Sequence, residues 1–358
     1  MRHAVVLAGG QGTRLWPWSH AGRPKQLVPL FDGRSLLDLA LDRAEAIAGD
    51  NVWLATGHEV ADAADGALGR LAADRVIVEP SGRDTLPAII RAMHTVLAVD
   101  PDAVVTVLTA DHVITPLDEL VAAIDVAWEL ADGASREGET QPSGVLVAYG
   151  VVPDHAATGY GWLELGEPLG KGFRVARFRE KPALDAAEEM LAGGASRYLW
   201  NSGMFTWRAS DFLDAAGRFA PEHAAGADPA AGDAAWEALS KLSVDHGVME
   251  PASANDSGFA VAAVPLRAEW RDVGSWTSFG DALGRDRDGN ALSGRVLTLD
   301  ASGCVVASEN PSHLVAVLGI DDVVVVHTAD ATLVCRADDV QRVKELQALV
   351  AREAPDRA

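Results

Sequence analysis

Between Val5 and Gln26 the chain reads VVLAGGQGTRLWPWSHAGRPKQ, an apolar run followed by a glycine-rich loop that carries Arg14 and, after a proline, Lys25. Glycines lacking Cβ let backbone N–H groups turn toward an anion, and an exposed Arg and Lys neutralise phosphate oxygens. The plain alternative is a tight strand-to-helix turn with solvated charges, and glycines alone do not decide between the two. Two nucleotide loops are excluded by spacing. A dinucleotide fingerprint starting at Gly10 and Gly12 would place Leu15 at its third glycine, and the one Gly-Lys pair, Gly170-Lys171, precedes Gly172 rather than the Ser or Thr of a P-loop.

Charge sharpens the reading. Across 358 residues, 30 Lys and Arg face 52 Asp and Glu, a formal charge of −22, yet residues 1–43 carry +3. The overall balance argues against nucleic acid or an anionic membrane as the main partner, because phosphate-backbone binding needs a dense basic face. A basic, glycine-rich amino terminus in so acidic a chain points instead to a small polyanion.

Such groups need a sheet to stand on. Ala4 to Ala8, Val52 to Ala55, Val76 to Val78, Val104 to Leu108 and Val145 to Ala148 read as buried strands. Between them, Ser35-Leu36-Leu37-Asp38 has capping-box spacing ahead of an apolar helix face, and Leu86, Ile89, Ile90, Met93, Val96 and Leu97 recur at helical intervals. This alternation predicts a Rossmann-like α/β fold, a mixed, mostly parallel sheet flanked by helices. Further on, Gly161 to Leu165, Phe173 to Phe178 and Gly203 to Trp207 read as strands, Ala183 to Leu191 as a helix closed by Gly193-Gly194, and residues 224–235 as a surface loop. From Asn290 to Val334 short Val and Leu runs give strands without helices, and a helix over about Val340 to Val350 closes the chain. A division near residue 286 follows, with a catalytic domain at 1–286 and a small β-rich domain at 287–358.

Taken whole, AGGQGTRLWPWSHAGRPKQ resembles the signature of the sugar-1-phosphate nucleotidyltransferases, in the RLWP…PKQ form of the mannose-1-phosphate guanylyltransferases. Further segments agree in order: Glu79 to Ile89 with EP…R(N)TAPAI, Leu108 to His112 with LPADH, Thr158 to Glu164 with TGYGYIE, Phe178 to Pro182 with FxEKP, Tyr198 to Phe205 with YxWNSGMF, and Trp270 to Trp276 with WxDVGSW. The resemblance spans nearly the whole chain. It implies that an oxygen of mannose 1-phosphate attacks the α-phosphorus of GTP, giving GDP-mannose and pyrophosphate. Positioning and charge neutralisation suffice for such chemistry without a covalent nucleophile.

By the same resemblance Arg14, Lys25 and Lys181 are the catalytic cations, and Asp111 with Asp272 hold a divalent ion, Mg²⁺ being the natural choice. Asp111 follows a predicted strand, at the carboxyl end where open α/β sheets place ligands, although an Asp there also caps helices. Asp272 is placed in a short turn, and Lys181 has the alternative of a solvated strand end. The nucleotide is assigned to Ala8, Gly9, Gly10, Gly12 and Thr13 together with Glu79, Arg83, Asp84 and Thr85. Mannose is assigned to Glu180 and Asn201, with Gly161 and Glu164 nearby; Asn201 has the alternative of satisfying neighbouring backbone. Three positions depart from the family pattern: Thr109 for Pro, Asp84 for Asn and Leu86 for Ala. Asp84 only accepts hydrogen bonds when ionised, which bears on base choice. His112, Trp16 and Trp18 read as packing or supporting residues.

The carboxy-terminal strands resemble a small β-helix-like module, expected to pack on the catalytic domain or across the interface of a homodimer. A cupin-like isomerase domain is not expected. Two cysteines, Cys304 and Cys335, form no CxxC pair, and no apolar run reaches membrane-spanning length, so a reduced, cytoplasmic enzyme is expected. The readings set against GMP transfer are another sugar 1-phosphate such as a heptose, another base, and a silent nucleotide-sugar sensor.

Overall fold

The computed structural model describes residues 1–10, 12–20, 22–64, 68–133, 144–254 and 257–354; Gln11 and Ala21 of the glycine-rich segment lie outside them. The strands are β1 (Arg2–Ala8), the hairpin β2 (Pro29–Phe31) and β3 (Arg34–Ser35), β4 (Val52–Gly57), β5 (Val76–Glu79), β6 (Val104–Thr109), β7 (His112–Thr115), β8 (Val145–Val151), β9 (Trp162–Leu169), β10 (Gly172–Arg179), β11 (Tyr198–Arg208), β12 (Ala260–Pro265) and β13 (Glu269–Asp272). Nine of these form one sheet in the order β5-β4-β1-β6-β11-β8-β12-β10-β9. Strands β5, β4, β1, β6, β8, β12 and β9 share one direction, and β11 and β10 oppose them. The mixed, mostly parallel sheet expected from the Val-rich runs is therefore present.

Helices α1 (Leu36–Ala48), α2 (His58–Ala63), α3 (Thr85–Leu97), α4 (Leu117–Gly133), α5 (Leu184–Gly193), α6 (Ala209–Phe219), α7 (Pro221–Gly226), α8 (Asp233–Ala238), α9 (Glu250–Ser253), α10 (Trp276–Leu283) and α11 (Val343–Glu353) complete the elements. The capping box that starts α1 is formed, Ser35 accepting from the Asp38 amide and Asp38 from that of Ser35. Alternation along the strands divides the sheet's side chains into two cores. Ala4, Val6 and Leu54 pack with α1 and α4 on one face, and Val5, Ala55 and Val105 with α3 and α6 on the other.

Residues 224–235 are not a surface loop. They contribute to α7, a 3₁₀ turn and α8, because Trp236 is fully buried, its Nε1 donating to the Ser81 carbonyl (2.8 Å), and draws its Gly, Ala and Pro neighbours into regular structure. Asp272 ends a strand rather than sitting in a turn. Strand β13 pairs antiparallel with β7, two four-residue strands too short to carry a periodic signal.

Strands β14 (Ala291–Ser293), β15 (Val296–Leu299), β16 (Val305–Ser308), β17 (Val315–Leu318), β18 (Val323–His327) and β19 (Thr332–Arg336) make the carboxy-terminal module. Strand β16 pairs in parallel with β14 and β18, and β15 with β17, which stacks successive coils as in a β-helix; β19 closes it antiparallel to β18. This module packs on the same chain. Leu15, Trp16 and Trp18 from the glycine-rich segment share one apolar cluster with Trp276 and Phe279 of α10 and with Val305, Val324 and Leu333.

Candidate active site

The glycine loop leaves the carboxyl end of β1 and folds back on itself because specific groups hold it. Gln26 Nε2 donates to the carbonyls of Gly9 (2.6 Å) and Gly10 (3.1 Å), and Ser19 Oγ donates to that of Gly12 (2.6 Å). Gly12 must be glycine twice over. Its φ is +62°, and a Cβ there would lie 2.4 Å from the Cβ of Lys25. Lys25 is thereby pressed under the loop, and its Nζ meets Asp111 Oδ2 at 2.6 Å.

Ala8, Gly9, Gly10, Gly12 and Thr13 line a cleft of about 680 Å³ whose opposite wall is Glu79 to Gly82. Glu79 is buried there, and burial raises its carboxyl to about 7, Arg91 opposing weakly. The wall ends at Gly82. Arg83 turns away to pair with Glu237 and its carbonyl (2.7 Å), and Thr85 Oγ1 accepts from the Val244 amide (2.9 Å). Asp84, at φ +72° in a backbone region that favours glycine, caps α3 by accepting from the Thr85 amide. These three side chains therefore hold structure rather than line the cleft. Lys241, which the sequence did not single out, does line it. The Leu242 amide binds the Arg83 carbonyl (3.2 Å) and the Leu86 amide the Leu242 carbonyl (3.1 Å), tying this neighbouring segment to the start of α3.

Asp111 and Asp272 are far apart in sequence, and the pairing of β7 with β13 brings them together. The register sets Asp272 opposite His112, and the Val273 amide donates to the Asp111 carbonyl at 2.9 Å. Ligand atoms of Asp111, His112 and Asp272 all lie within 4.8 Å of one another. The two carboxyls are pulled apart in acidity. Burial works against ionisation at both; at Asp111 the Lys25 ammonium overcomes it and holds the carboxyl well below the usual range, whereas at Asp272 burial and the Asp111 charge push it up. His112 is kept neutral, burial lowering it to about 4, and stands edge-on to Trp270 at 5.0 Å with its Nδ1 unpartnered among the described residues. Arg43 of α1, also buried, donates to the Thr109 carbonyl (3.3 Å) behind the pair. Two hard carboxylates at this spacing suit a divalent ion such as Mg²⁺, which prefers oxygen, and neutral His112 adds a nitrogen that softer metals would favour. Arg14 reaches the site's edge, donating to Gln341 Oε1 of the carboxy-terminal module at 2.9 Å.

A second polar group lies on the other arm of the sheet. A Cβ on Gly161 would sit 2.6 Å from Glu180 Oε2, a buried oxygen unpartnered among the described residues, so a side chain there would press on this carboxyl. Lys181 Nζ meets Glu180 Oε1 at 2.5 Å; partial burial opposes the lysine's charge, but Glu180, with Asp245 and Asp84, raises it above its ordinary value. Asn201 Nδ2 donates to Asp245 Oδ1 (2.9 Å), and its Oδ1 accepts from the Gly203 amide (3.2 Å), so it serves neighbouring backbone and still has one N–H left. Asp245, raised to about 7 by burial and then by Glu180, was not foreseen. Glu164 does not join this group. It follows the face of Trp162, while Glu180 follows Phe178 on the opposite face, and it accepts from Arg197 (2.8 Å) and Tyr198 (3.4 Å).

Residues 3–288 match the family described as nucleotidyl transferase, and residues 294–348 a mannose-phosphate isomerase/GMP-like β-helix domain. A xanthan biosynthesis protein XanB from Xanthomonas campestris pv. campestris is 37% identical over 96% of this chain and 72% of its own length. A mannose-1-phosphate guanylyltransferase of Klebsiella pneumoniae is 34% identical over 95% and 72%. Among solved structures, one described as a mannose-1-phosphate geranyltransferase from Thermus thermophilus superposes with a TM-score of 0.85 at 30% identity, covering 98% of this chain and 99% of that one.

Proposed function

The chain belongs to the nucleotidyl transferase family, and from that premise we propose that it transfers GMP from GTP to mannose 1-phosphate. A phosphate oxygen of mannose 1-phosphate attacks the α-phosphorus in line, the bond to the β-phosphate's bridging oxygen breaks with its electron pair, and pyrophosphate leaves as GDP-mannose forms. The observation that carries this reading is the convergence of Asp111 and Asp272 beside Lys25, at the mouth of a loop with exposed backbone. Relatives named for mannose 1-phosphate favour it over another sugar phosphate or a silent sensor.

Each group has a task. The backbone of Gly9, Gly10, Gly12 and Thr13 and the side chain of Arg14 receive the triphosphate, and Glu79 accepts from guanine N1–H and the amino group. Lys25 neutralises charge at the reacting phosphates, and Lys181 draws in the phosphate of the acceptor. Glu180 and the free N–H of Asn201 bind mannose hydroxyls, with Asp245 fixing the amide's orientation. Asp111 and Asp272 would hold Mg²⁺, which when bound neutralises and aligns phosphate oxygens. His112 and Arg43 support the pair from behind.

The test is pyrophosphate release by the purified protein. It is expected only when GTP, mannose 1-phosphate and Mg²⁺ are all present, and GTP should outrank other nucleotides in a panel. Absence of release with every sugar phosphate tried would sink the proposal.

A further inference from the structure

Lys25 stands on an oxygen that the ion of the proposed reaction needs. Its Nζ lies 2.6 Å from Asp111 Oδ2, and its side chain is only 9% exposed. The glycine loop fixes it there. A Cβ on Gly12 would come within 2.4, 2.5 and 2.9 Å of the Cβ, Cγ and Cδ of Lys25, so the stem of the lysine runs directly against the glycine. Asp111 is the one carboxylate that Lys25 pairs with among the described residues.

The same carboxylate belongs to the group whose ligand atoms lie within 4.8 Å of one another. An ion on Asp111 Oδ2, at the usual Mg–O length of about 2.1 Å, would stand within about 5 Å of the ammonium. Positive charges so close in a largely buried place repel strongly. The other carboxylate has a cation beside it as well: Arg14 Nη2 and Asp272 Oδ1 lie 3.6 and 3.5 Å from where a Cβ on Gly274 would be. Without nucleotide, the charge that would attract a divalent ion is thus already answered by the protein's own cations. Phosphate oxygens reverse this balance, because they offer Lys25 and Arg14 other anions and add ligands of their own to the ion.

We propose that Lys25 is a built-in counter-ion that holds free divalent cations off Asp111 and Asp272 until phosphate oxygens draw it away. The proposal rests on the reading of these two residues as ion ligands. Titration of the full chain with Mn²⁺, without nucleotide or sugar phosphate, tests it through the electron paramagnetic resonance signal of the unbound ion. Lys25→Met should bind Mn²⁺ about tenfold more tightly than the wild type, or better, whereas Lys25→Arg, which keeps the charge, should stay near the wild type. The gain should vanish in the double variant Lys25→Met/Asp111→Asn, which separates this pair from the other carboxylates of an acidic surface. Lys25→Gln serves the same purpose should the near-ultraviolet circular dichroism show that Lys25→Met does not fold. Three results overturn the proposal: neutral variants that bind Mn²⁺ no more tightly than the wild type, a gain that survives Asp111→Asn, or a Lys25→Arg variant that binds as tightly as Lys25→Met. Because neither GTP nor mannose 1-phosphate is present, failure here leaves the pyrophosphate assay standing, and failure of that assay leaves the Mn²⁺ titration readable.

Discussion

Asp111 is ionised because Lys25 faces it, and Lys25 is buried because Gly12 presses it there, so one short contact joins the loop to the carboxylate pair. Asp111→Asn keeps an acceptor for the lysine while removing a charged ligand. Turnover should fall by about 10²–10³-fold or more with the circular dichroism spectrum unchanged, and near-normal pyrophosphate release would refute the metal role. Glu79 carries a pH signature. Its carboxyl, raised from 4.5 to about 7 by burial, loses its charge as pH falls through that value. The KM for GTP should therefore rise on acidification with kcat moving less, and Glu79→Gln should flatten the profile at the weak-binding level. Stability runs the opposite way. A carboxyl whose folded value is raised favours the folded state at low pH and loses that advantage as pH climbs through about 7, so Glu79→Gln should be the more stable protein above it, by up to ~3 kcal/mol in urea titrations. Arg14, Lys25 and Asp111 were legible as types in a local pattern. Asp272 was legible only through the resemblance, and Arg43 and Asp245 not at all, because their roles depend on residues far away in the chain.

Elements differ in legibility for the same reason. Strands β1, β4, β6 and β8 are buried on both faces and announce themselves as apolar runs, whereas β7 and β13 gain their meaning only by pairing with each other. The α7 to α8 region reads as loop because Gly, Ala and Pro dominate it, and one buried indole, Trp236, decides otherwise. Leu86 shows an element adjusting to a departure from the family pattern. This leucine is fully buried in α3, and a Cβ on Gly247 would lie 2.5 Å from its Cδ2. Gly247→Ala should overpack this contact and cost about 1–3 kcal/mol, and Leu86→Ala alone about 2–5 kcal/mol through the cavity it opens. Combined, the added methyl enters that cavity, so the double variant should lose less than the sum of the singles. Strict additivity in urea titrations would show that the two residues do not compensate each other.

At the scale of the molecule, the carboxy-terminal β-helix acts as a buttress for the loop that receives the nucleotide. Trp18 Nε1 donates to the His327 carbonyl (3.3 Å), Arg23 pairs with Glu309, and Arg14 with Gln341, so three residues of the loop segment are held from beyond residue 300. The apolar cluster beneath them draws on both modules and includes Leu15 and Trp276, each fully buried. A fold built this way cannot lose its last module without exposing the base of its active site. A chain ending at residue 288, the limit of the nucleotidyl transferase match, should accordingly aggregate or lose pyrophosphate release altogether, despite retaining every catalytic residue assigned above. Gln341→Ala asks the same question gently. It frees only Arg14, through an exposed contact worth under about 1 kcal/mol, so the melting temperature should hold while the KM for GTP rises about two- to fivefold. If the shortened chain were soluble and fully active, and Gln341→Ala kinetically silent, the buttress would have no part in catalysis, and Arg14 would find its working position without help from the β-helix.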